Sequence, residues 1–364
     1  MILNNKVKEL IDKAKKIVVI QAENPDGDSL GSSLALEEIL GDMGKTVSLY
    51  CPVQIPTYMR YIKGWDRVSI DFDNTADLAI IVDTSAKLLL SKTLNDPIAS
   101  NFLFTKPSLT LDHHVGVEPD LPFKTEYIFS DTAVSTGELI YDLAKSNNWK
   151  INSAAATNLY ISIQADSLGL TTSATTADSF EACANLVRLG ANPSDIENDR
   201  RELMKKSARV LSYKGRLISR IEYYNDSRTA VIVIPFDEIQ NYSNEYNPTM
   251  LVLDEMRLVT GVDVAVGIKI YPDGKLTGKL RSNIPVSNLI AKIFGGDGHP
   301  FAAGFRIYDD LINFMPELIE TCTKIYADYD KTQPMEETKP KAKPAAAKKD
   351  DPNQMGSFRV KRAK

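Results

Sequence analysis

With 364 residues, 43% of them hydrophobic and 25% charged, the chain has the make-up of a globular protein too long for one ordinary core, and two domains plus a tail is the natural division. The net charge of −5 is unevenly placed: residues 331–364 carry ten Lys and Arg against four Asp and Glu, whereas residues 1–330 carry 33 against 44, a net of −11. An acidic body excludes the wrapping of a long duplex, which needs a basic surface, but it suits a small nucleotide held through metal ions, for which clustered carboxylates are required.

The first twenty residues put polar side chains at helical spacing ahead of a short apolar run, so neither a signal peptide nor a membrane span is expected. "KIVVIQ" (16–21) reads as a buried strand, Ser29 to about Met43 as a helix, and 45–51, 77–83 and 108–112 as further strands. Helices follow over 132–146, 152–165, 176–189 and roughly 196–216. This alternation predicts an α/β fold with a mostly parallel sheet flanked by helices, in which ligands gather at the carboxyl ends of the strands. Beyond the polar helical stretch lie the strand-like "ISRIEYY" and "TAVIVIP", then a hairpin over 262–282 turning at Pro272-Asp273-Gly274, a helix near 286–294 and a glycine-rich loop. These form a smaller C-terminal α/β domain, and the site is expected in the interdomain cleft. The boundaries are 1–190, a helical linker 191–216, 217–330, and a disordered basic tail 331–364 rich in Pro and Lys. Three separated cysteines, Cys51, Cys183 and Cys322, form no CxxC pair, which points away from structural zinc or disulfides and toward a reducing cytoplasm.

All three histidines sit in segments that look built for a site. His113 and His114 follow Asp112 at a strand end, and His299 lies in "FGGDGHPFAAGF". Asp26 and Asp28 flank Gly27 before a helix start, Asp83 ends a strand and Asp166 ends a helix. Singly, each acidic residue is as well explained as a cap or a loop start. Together, carboxylates and imidazoles at element ends along one sheet edge suit Mn²⁺, with Mg²⁺ less favoured. Two such ions sharing a carboxylate would activate a water and neutralise a phosphoryl group.

The order D-x-D after a strand, Asp at a strand end, D-H-H, a later Asp and a C-terminal G-H-P-x-A-A-G loop resembles the DHH phosphoesterase superfamily. The second region resembles the DHH-associated domain of its NrnA-like and RecJ-like members, and the likeness covers roughly residues 1–328. The resemblance implies that Asp28, Asp83, His113 and Asp166 ligate one metal, and that Asp26 with the bridging Asp83 serves the other. It implies that His114 faces the substrate phosphate and that Asp112 supports the histidine pair. Arg281 and Ser282 would bind a terminal phosphate, with Gly295, Gly296, Gly298 and His299 closing over it.

The chain departs from the family pattern at Ala22, where a metal-ligating histidine is usual, so the first metal is expected to be weakly held. The implied activity is metal-dependent hydrolysis of short oligoribonucleotides, 3′-phosphoadenosine 5′-phosphate, or both, at a reduced rate if the first metal limits it. One alternative is a cyclic dinucleotide phosphodiesterase, and another is a nucleotide-binding protein with a degenerate metal site. The expected partners are short single-stranded RNA or a small nucleotide, with no membrane and no long duplex; a homodimer is compatible with this reading.

Overall fold

A computed structural model describes residues 5–115 and 118–332, apart from the side chains of Asp297 and His299. It divides into two units, Met1–Lys205 and Lys206–Lys364. Most of the expected tail lies outside the described residues.

The first unit runs α1 (Asn5–Lys13), β1 (Lys16–Ile20), α2 (Gly27–Asp42), β2 (Thr46–Tyr50) and β3 (Val68–Ser69). It continues through β4 (Leu78–Val82), α3 (Ser91–Asn95), α4 (Pro97–Thr105), β5 (Ser108–Asp112) and β6 (Glu126–Phe129). Four helices complete it: α5 (Thr136–Ser146), α6 (Ser153–Asp166), α7 (Ala177–Arg188) and α8 (Pro193–Met204). The six strands pair in the order β3-β2-β1-β4-β5-β6, all parallel. Strands β4 and β5 are buried along their whole length, as a sheet covered on both faces requires. The two-residue alternation along β1 sends Ile17 and Val19 into one apolar cluster and Val18 and Ile20 into another. The first cluster also takes Leu34 of α2, Ile140 of α5 and Leu159 of α6; the second takes Phe102 and Leu103 of α4.

Close approach of α2, α5 and α6 depends on small residues. A Cβ on Gly31 would stand 2.6 Å from the Asn158 carbonyl oxygen, and one on Gly137 would stand 1.9 Å from the Ser162 hydroxyl. Glycine at these points lets α6 lie against both helices and brings its last residue, Asp166, to the strand ends.

The second unit begins with α9 (Ala208–Ile218), β7 (Glu222–Tyr224), β8 (Thr229–Ile234), α10 (Phe236–Tyr242) and α11 (Leu253–Arg257). The hairpin β9 (Val264–Ile270) and β10 (Lys275–Ser282) follows, then α12 (Ser287–Ile293), β11 (Asp297–His299), β12 (Ala302–Tyr308) and α13 (Leu311–Thr332). The sheet order is β11-β12-β10-β9-β8-β7, antiparallel except for the β8–β9 pair. The expected single helix over 196–216 is two helices, α8 and α9, separated at Lys205–Ser207, where the Ser207 side chain caps α9 by accepting from the Val210 amide. The stretch expected as a linker is shared between the units. Among the described residues no helix is long and apolar enough to cross a membrane.

Candidate metal centre

Strand order places the site. The sheet reverses direction of growth between β1 and β4, and in an open parallel sheet that switch point leaves a crevice at the carboxyl ends of the two strands. Asp26 and Asp28 follow β1, Asp83 follows β4, and Asp112, His113 and His114 end and follow β5, the next strand out. Asp166 arrives from the end of α6.

Four of these residues converge on one ring nitrogen. His113 Nε2 lies 3.1 Å from Asp166 Oδ2, 3.5 Å from Asp28 Oδ2 and 3.5 Å from Asp83 Oδ1. It is buried and makes no well-aligned hydrogen bond with any of them. A ring nitrogen aimed between three carboxylate oxygens, aligned with none, is the donor set that a hard or borderline divalent cation takes. Two groups have ligand atoms all within 4.8 Å of one another: Asp28, His113 and Asp166, and Asp83, His113 and His114.

Protein donors hold the carboxylates. Asp28 is fully buried, and its Oδ1 accepts from Ser32 Oγ (3.0 Å), Ser162 Oγ (2.5 Å) and the Gly137 amide (3.1 Å). Its Oδ2 accepts from the Thr136 amide at 2.7 Å. Two of these donors are the first amides of α5, whose positive end favours a carboxylate. Asp83 accepts from Thr136 Oγ1 at 3.1 Å and has left-handed backbone geometry (φ 64). Such a conformation is strained for most residues but tolerated by Asp and Asn. Burial, followed by the neighbouring Asp28 charge, pushes the Asp83 carboxyl well up. Burial would push the His113 imidazole down, but the Asp166, Asp83 and Asp28 carboxylates outweigh it and hold it up at about 11.

His114 is turned differently. Its Nδ1 lies 2.7 Å from Asp112 Oδ1, which also accepts from the His113 and His114 amides at 2.9 and 3.3 Å. That hydrogen bond raises the His114 imidazole. Burial pushes the Asp112 carboxyl up, but its partners, His114 first, bring it below the usual range. Asp112 therefore fixes the ring and leaves the half-exposed imidazole directed by its own Nδ1 contact. Asp26 belongs to neither group of converging ligands. Its side chain caps α2 by accepting from the Ser29 amide at 2.9 Å, and burial and the Asp28 charge raise its carboxyl.

At position 22, Ala22 is 5% exposed. Neighbouring Glu23 is committed elsewhere, its Oε2 accepting from the Lys92 amide at 2.8 Å, whereas the wholly buried Gln21 amide has no partner among the described residues.

In the second unit, Arg281 lies on β10 between Ala265 and Ala302, its Nη1 donating to the Leu280 carbonyl at 3.0 Å. Ser282 is buried, donates to the Pro300 carbonyl at 3.2 Å and accepts from Ser287 Oγ at 2.8 Å, so its hydroxyl ties the glycine loop to β10. The Gly295 and Gly296 amides donate to the Lys292 and Ala291 carbonyls and finish α12. A Cβ on Gly296 would stand 2.2 Å from the Gly304 oxygen, and one on Gly298 would stand 2.5 Å from Ala303 Cα. Packing against β12 accounts for both glycines. The side chain of His299 lies outside the described residues, although its backbone pairs with Ala302.

Sequence reasoning missed the donors that hold Asp28 and Asp83: Ser32, Thr136, Gly137 and Ser162. Ser-Thr-Gly opening a helix was the available signal, and it looks the same as an ordinary cap.

Residues 16–163 match the DHH family, N-terminal domain. The chain is 22% identical over 312 residues to the bifunctional oligoribonuclease and PAP phosphatase NrnA of Bacillus subtilis, covering 84% of this chain and 94% of that one. It is 25% identical over 295 residues to the probable bifunctional oligoribonuclease and PAP phosphatase NrnA of Streptococcus mutans, covering 80% and 89%. An exopolyphosphatase-related protein from Bacteroides fragilis shares the fold, with a TM-score of 0.75 and 21% identity over 90% of this chain and 96% of its own. The match takes in Asp28, Asp83, His113 and His114 and ends three residues before Asp166, so most of the converging ligands lie in the stretch that is similar to the DHH family, N-terminal domain.

Proposed function

We propose that the chain is a metal-dependent phosphoesterase that hydrolyses short oligoribonucleotides and 3′-phosphoadenosine 5′-phosphate (PAP). The observation that carries this reading is the convergence of Asp28, Asp83 and Asp166 on His113 Nε2. It is supported by relatives of nearly the same length that are named for those two activities.

Asp28, Asp83, His113 and Asp166 would hold one Mn²⁺ or Mg²⁺, and Asp83 with Asp26 a second. When bound, such ions lower the pKa of water and neutralise charge on a phosphoryl group. The chain's own residues orient the reactants. Asp112 holds the His114 ring, whose other nitrogen can donate to a phosphate oxygen, and the α5 amides hold the Asp28 carboxylate in place. Arg281, cationic and half-exposed, is the member of the second-unit set suited to a terminal phosphate.

Ala22 favours a second reading, a nucleotide-binding protein whose first metal is too weakly held to turn over substrate. The two readings part on one measurement: Mn²⁺-dependent release of mononucleotides from a short RNA, alongside His113→Ala. We expect turnover by the native chain and a loss of about 100-fold or more in the variant, a drop of nearly 3 kcal/mol in transition-state stabilisation. Native turnover no higher than that of the variant, with nucleotide binding retained, leaves the binding protein. In the same assay Ala22→His is expected to raise the rate and lower the Mn²⁺ concentration needed for half-maximal activity. An unchanged rate would mean that the missing ligand is not what limits the enzyme. The relative named cyclic-di-AMP phosphodiesterase PdeA, from Listeria monocytogenes, is 24% identical and is covered over only 47% of its length, so a cyclic dinucleotide belongs in the substrate panel as a secondary candidate.

A further inference from the structure

Thr136 opens α5, is wholly buried, and touches two of the three carboxylates that converge on His113. Its backbone amide donates to Asp28 Oδ2 at 2.7 Å, and its hydroxyl donates to Asp83 Oδ1 at 3.1 Å. Among the described residues it is the one donor to both aspartates. Capping of the helix falls to its neighbour, for Ser135 Oγ accepts from the Glu138 amide at 3.0 Å. The Thr136 hydroxyl is therefore spare. Inside a helix a threonine hydroxyl bonds the carbonyl three or four residues back. At the first helical position no preceding turn supplies that carbonyl, and the hydroxyl reaches instead to a residue 53 positions earlier.

The two oxygens of Asp83 are placed unalike. Oδ1 takes the Thr136 hydroxyl and lies 3.5 Å from His113 Nε2 and 3.9 Å from His114 Nδ1. Oδ2 receives no hydrogen bond among the described residues. The last torsion of an aspartate is broad and roughly two-fold, so nothing intrinsic to Asp83 keeps one particular oxygen on the histidine side. The main chain does not select it either. The Asp83 amide donates to the Leu111 carbonyl at 2.9 Å, which fixes the backbone of a left-handed residue and leaves its carboxylate to be held by other groups. Thr136 is suited to hold it. Branching at Cβ limits its rotamers, and the first two amides of its helix are tied to Asp28, so the hydroxyl is a stiff donor on a fixed base.

We infer that Thr136 is a positioning residue that gives the two Asp83 oxygens separate duties: its hydroxyl fixes Oδ1 beside His113, on the side of Asp28 and Asp166, and keeps Oδ2 for a second ion. This role rests on the reading of the site as a metal centre and deepens it. One buried residue sets Asp28 and Asp83 relative to each other, so metal affinity depends on a hydroxyl that solvent does not reach.

The test is calorimetric titration of Mn²⁺ into the full chain, stripped of metal and without substrate. Thr136→Val and Thr136→Ala keep the amide on Asp28 and lose the hydroxyl with side chains of different size. Each is expected to weaken Mn²⁺ binding about tenfold or more, the usual scale for a group that holds a metal ligand. Thr136→Ser restores the donor and should bind within about twofold of the native chain. Thermal unfolding without metal is read alongside, with Thr176→Ala as the comparison. That variant removes the α7 cap, which accepts from the Ser179 amide at 3.3 Å, and should lower the melting temperature while leaving Mn²⁺ affinity unchanged. Native affinity in Thr136→Val and Thr136→Ala, failure of Thr136→Ser to restore it, or equal weakening by Thr176→Ala overturns the inference and leaves Thr136 a stabilising residue only. A native chain that takes up no Mn²⁺ overturns the metal reading itself, and the inference with it. Hydrolysis is followed separately on the native chain. If it cuts neither RNA nor PAP while Mn²⁺ binding still depends on the hydroxyl, the enzymatic reading fails and the role of Thr136 stands.

Discussion

Asp83 carries opposing demands. Its backbone is held in a conformation that few residues accept, and its carboxylate is buried beside Asp28, with Asp26 and Asp166 adding to the repulsion. Its folded-state pKa lies above the unfolded value, so its neutral form is favoured on folding; that stability is present at low pH and is lost as pH rises through the folded value. At neutral pH the ionised group therefore costs stability. Asn keeps the left-handed geometry and can still accept from Thr136 Oγ1, without the charge. Asp83→Asn is expected to raise the melting temperature of the metal-free protein by about 2–4 °C for each kcal/mol relieved. The same variant should lose the Mn²⁺-induced rise in melting temperature and the activity. Thermal unfolding with and without Mn²⁺ reads both, and a variant less stable than the native chain without metal would show that repulsion at Asp83 is not a net cost. The opposite case is Asp26, for which the ordinary explanation and the functional one coincide. It caps α2 as any Asp before a helix would, so its sequence context could not show that it stands apart from the converging ligands.

At the scale of elements, the site depends on how closely α6 lies to α2 and α5. Gly31→Ala puts a methyl group against a backbone carbonyl that cannot swing aside, at a cost of roughly 1–3 kcal/mol. The gain in helix propensity, about 1 kcal/mol, offsets only part of it. The variant is expected to melt lower and to need more Mn²⁺ for half-maximal activity, because Asp28 and Asp166 sit on the two helices forced apart. Gly41→Ala, in the same helix with nothing within 4 Å of its Cβ, supplies the control and should be neutral or stabilising. Equal behaviour of the two variants would separate the site from this packing. Much of the architecture was legible in sequence because the parallel strands are short apolar runs, and the acidic and histidine motifs fall where those runs stop. Local pattern does not carry the rest. No Gly or Pro marks the division between α8 and α9, and a donor such as Ser162 gains meaning only when three helices meet. The glycine loop was readable as a phosphate cradle, yet packing against β12 and the end of α12 accounts for Gly296 and for the amides of Gly295 and Gly296.

Across the whole molecule, charge is divided along the chain as well as in space. Residues 1–330 are net acidic, with the carboxylate centre in the first unit, and residues 331–364 are net basic. Hydrophobic clusters are equally divided, with Ile17, Leu34 and Leu159 in one unit and Val266, Leu280 and Phe314 in the other, so neither unit relies on the metal centre for its core. The Asp28 carboxylate is fixed by four protein donors from α2, α5 and α6. Many small metalloproteins are unfolded until their ion arrives; here each unit has an apolar core of its own, so the fold is expected to stand without one. Chelation is expected to silence the protein while leaving its far-ultraviolet circular dichroism unchanged, and added Mn²⁺ should restore activity with no refolding lag. A slow recovery, or unfolding on chelation, would contradict it. Metal supply would then govern this protein as a reversible dimmer of its activity, leaving its abundance and lifetime untouched.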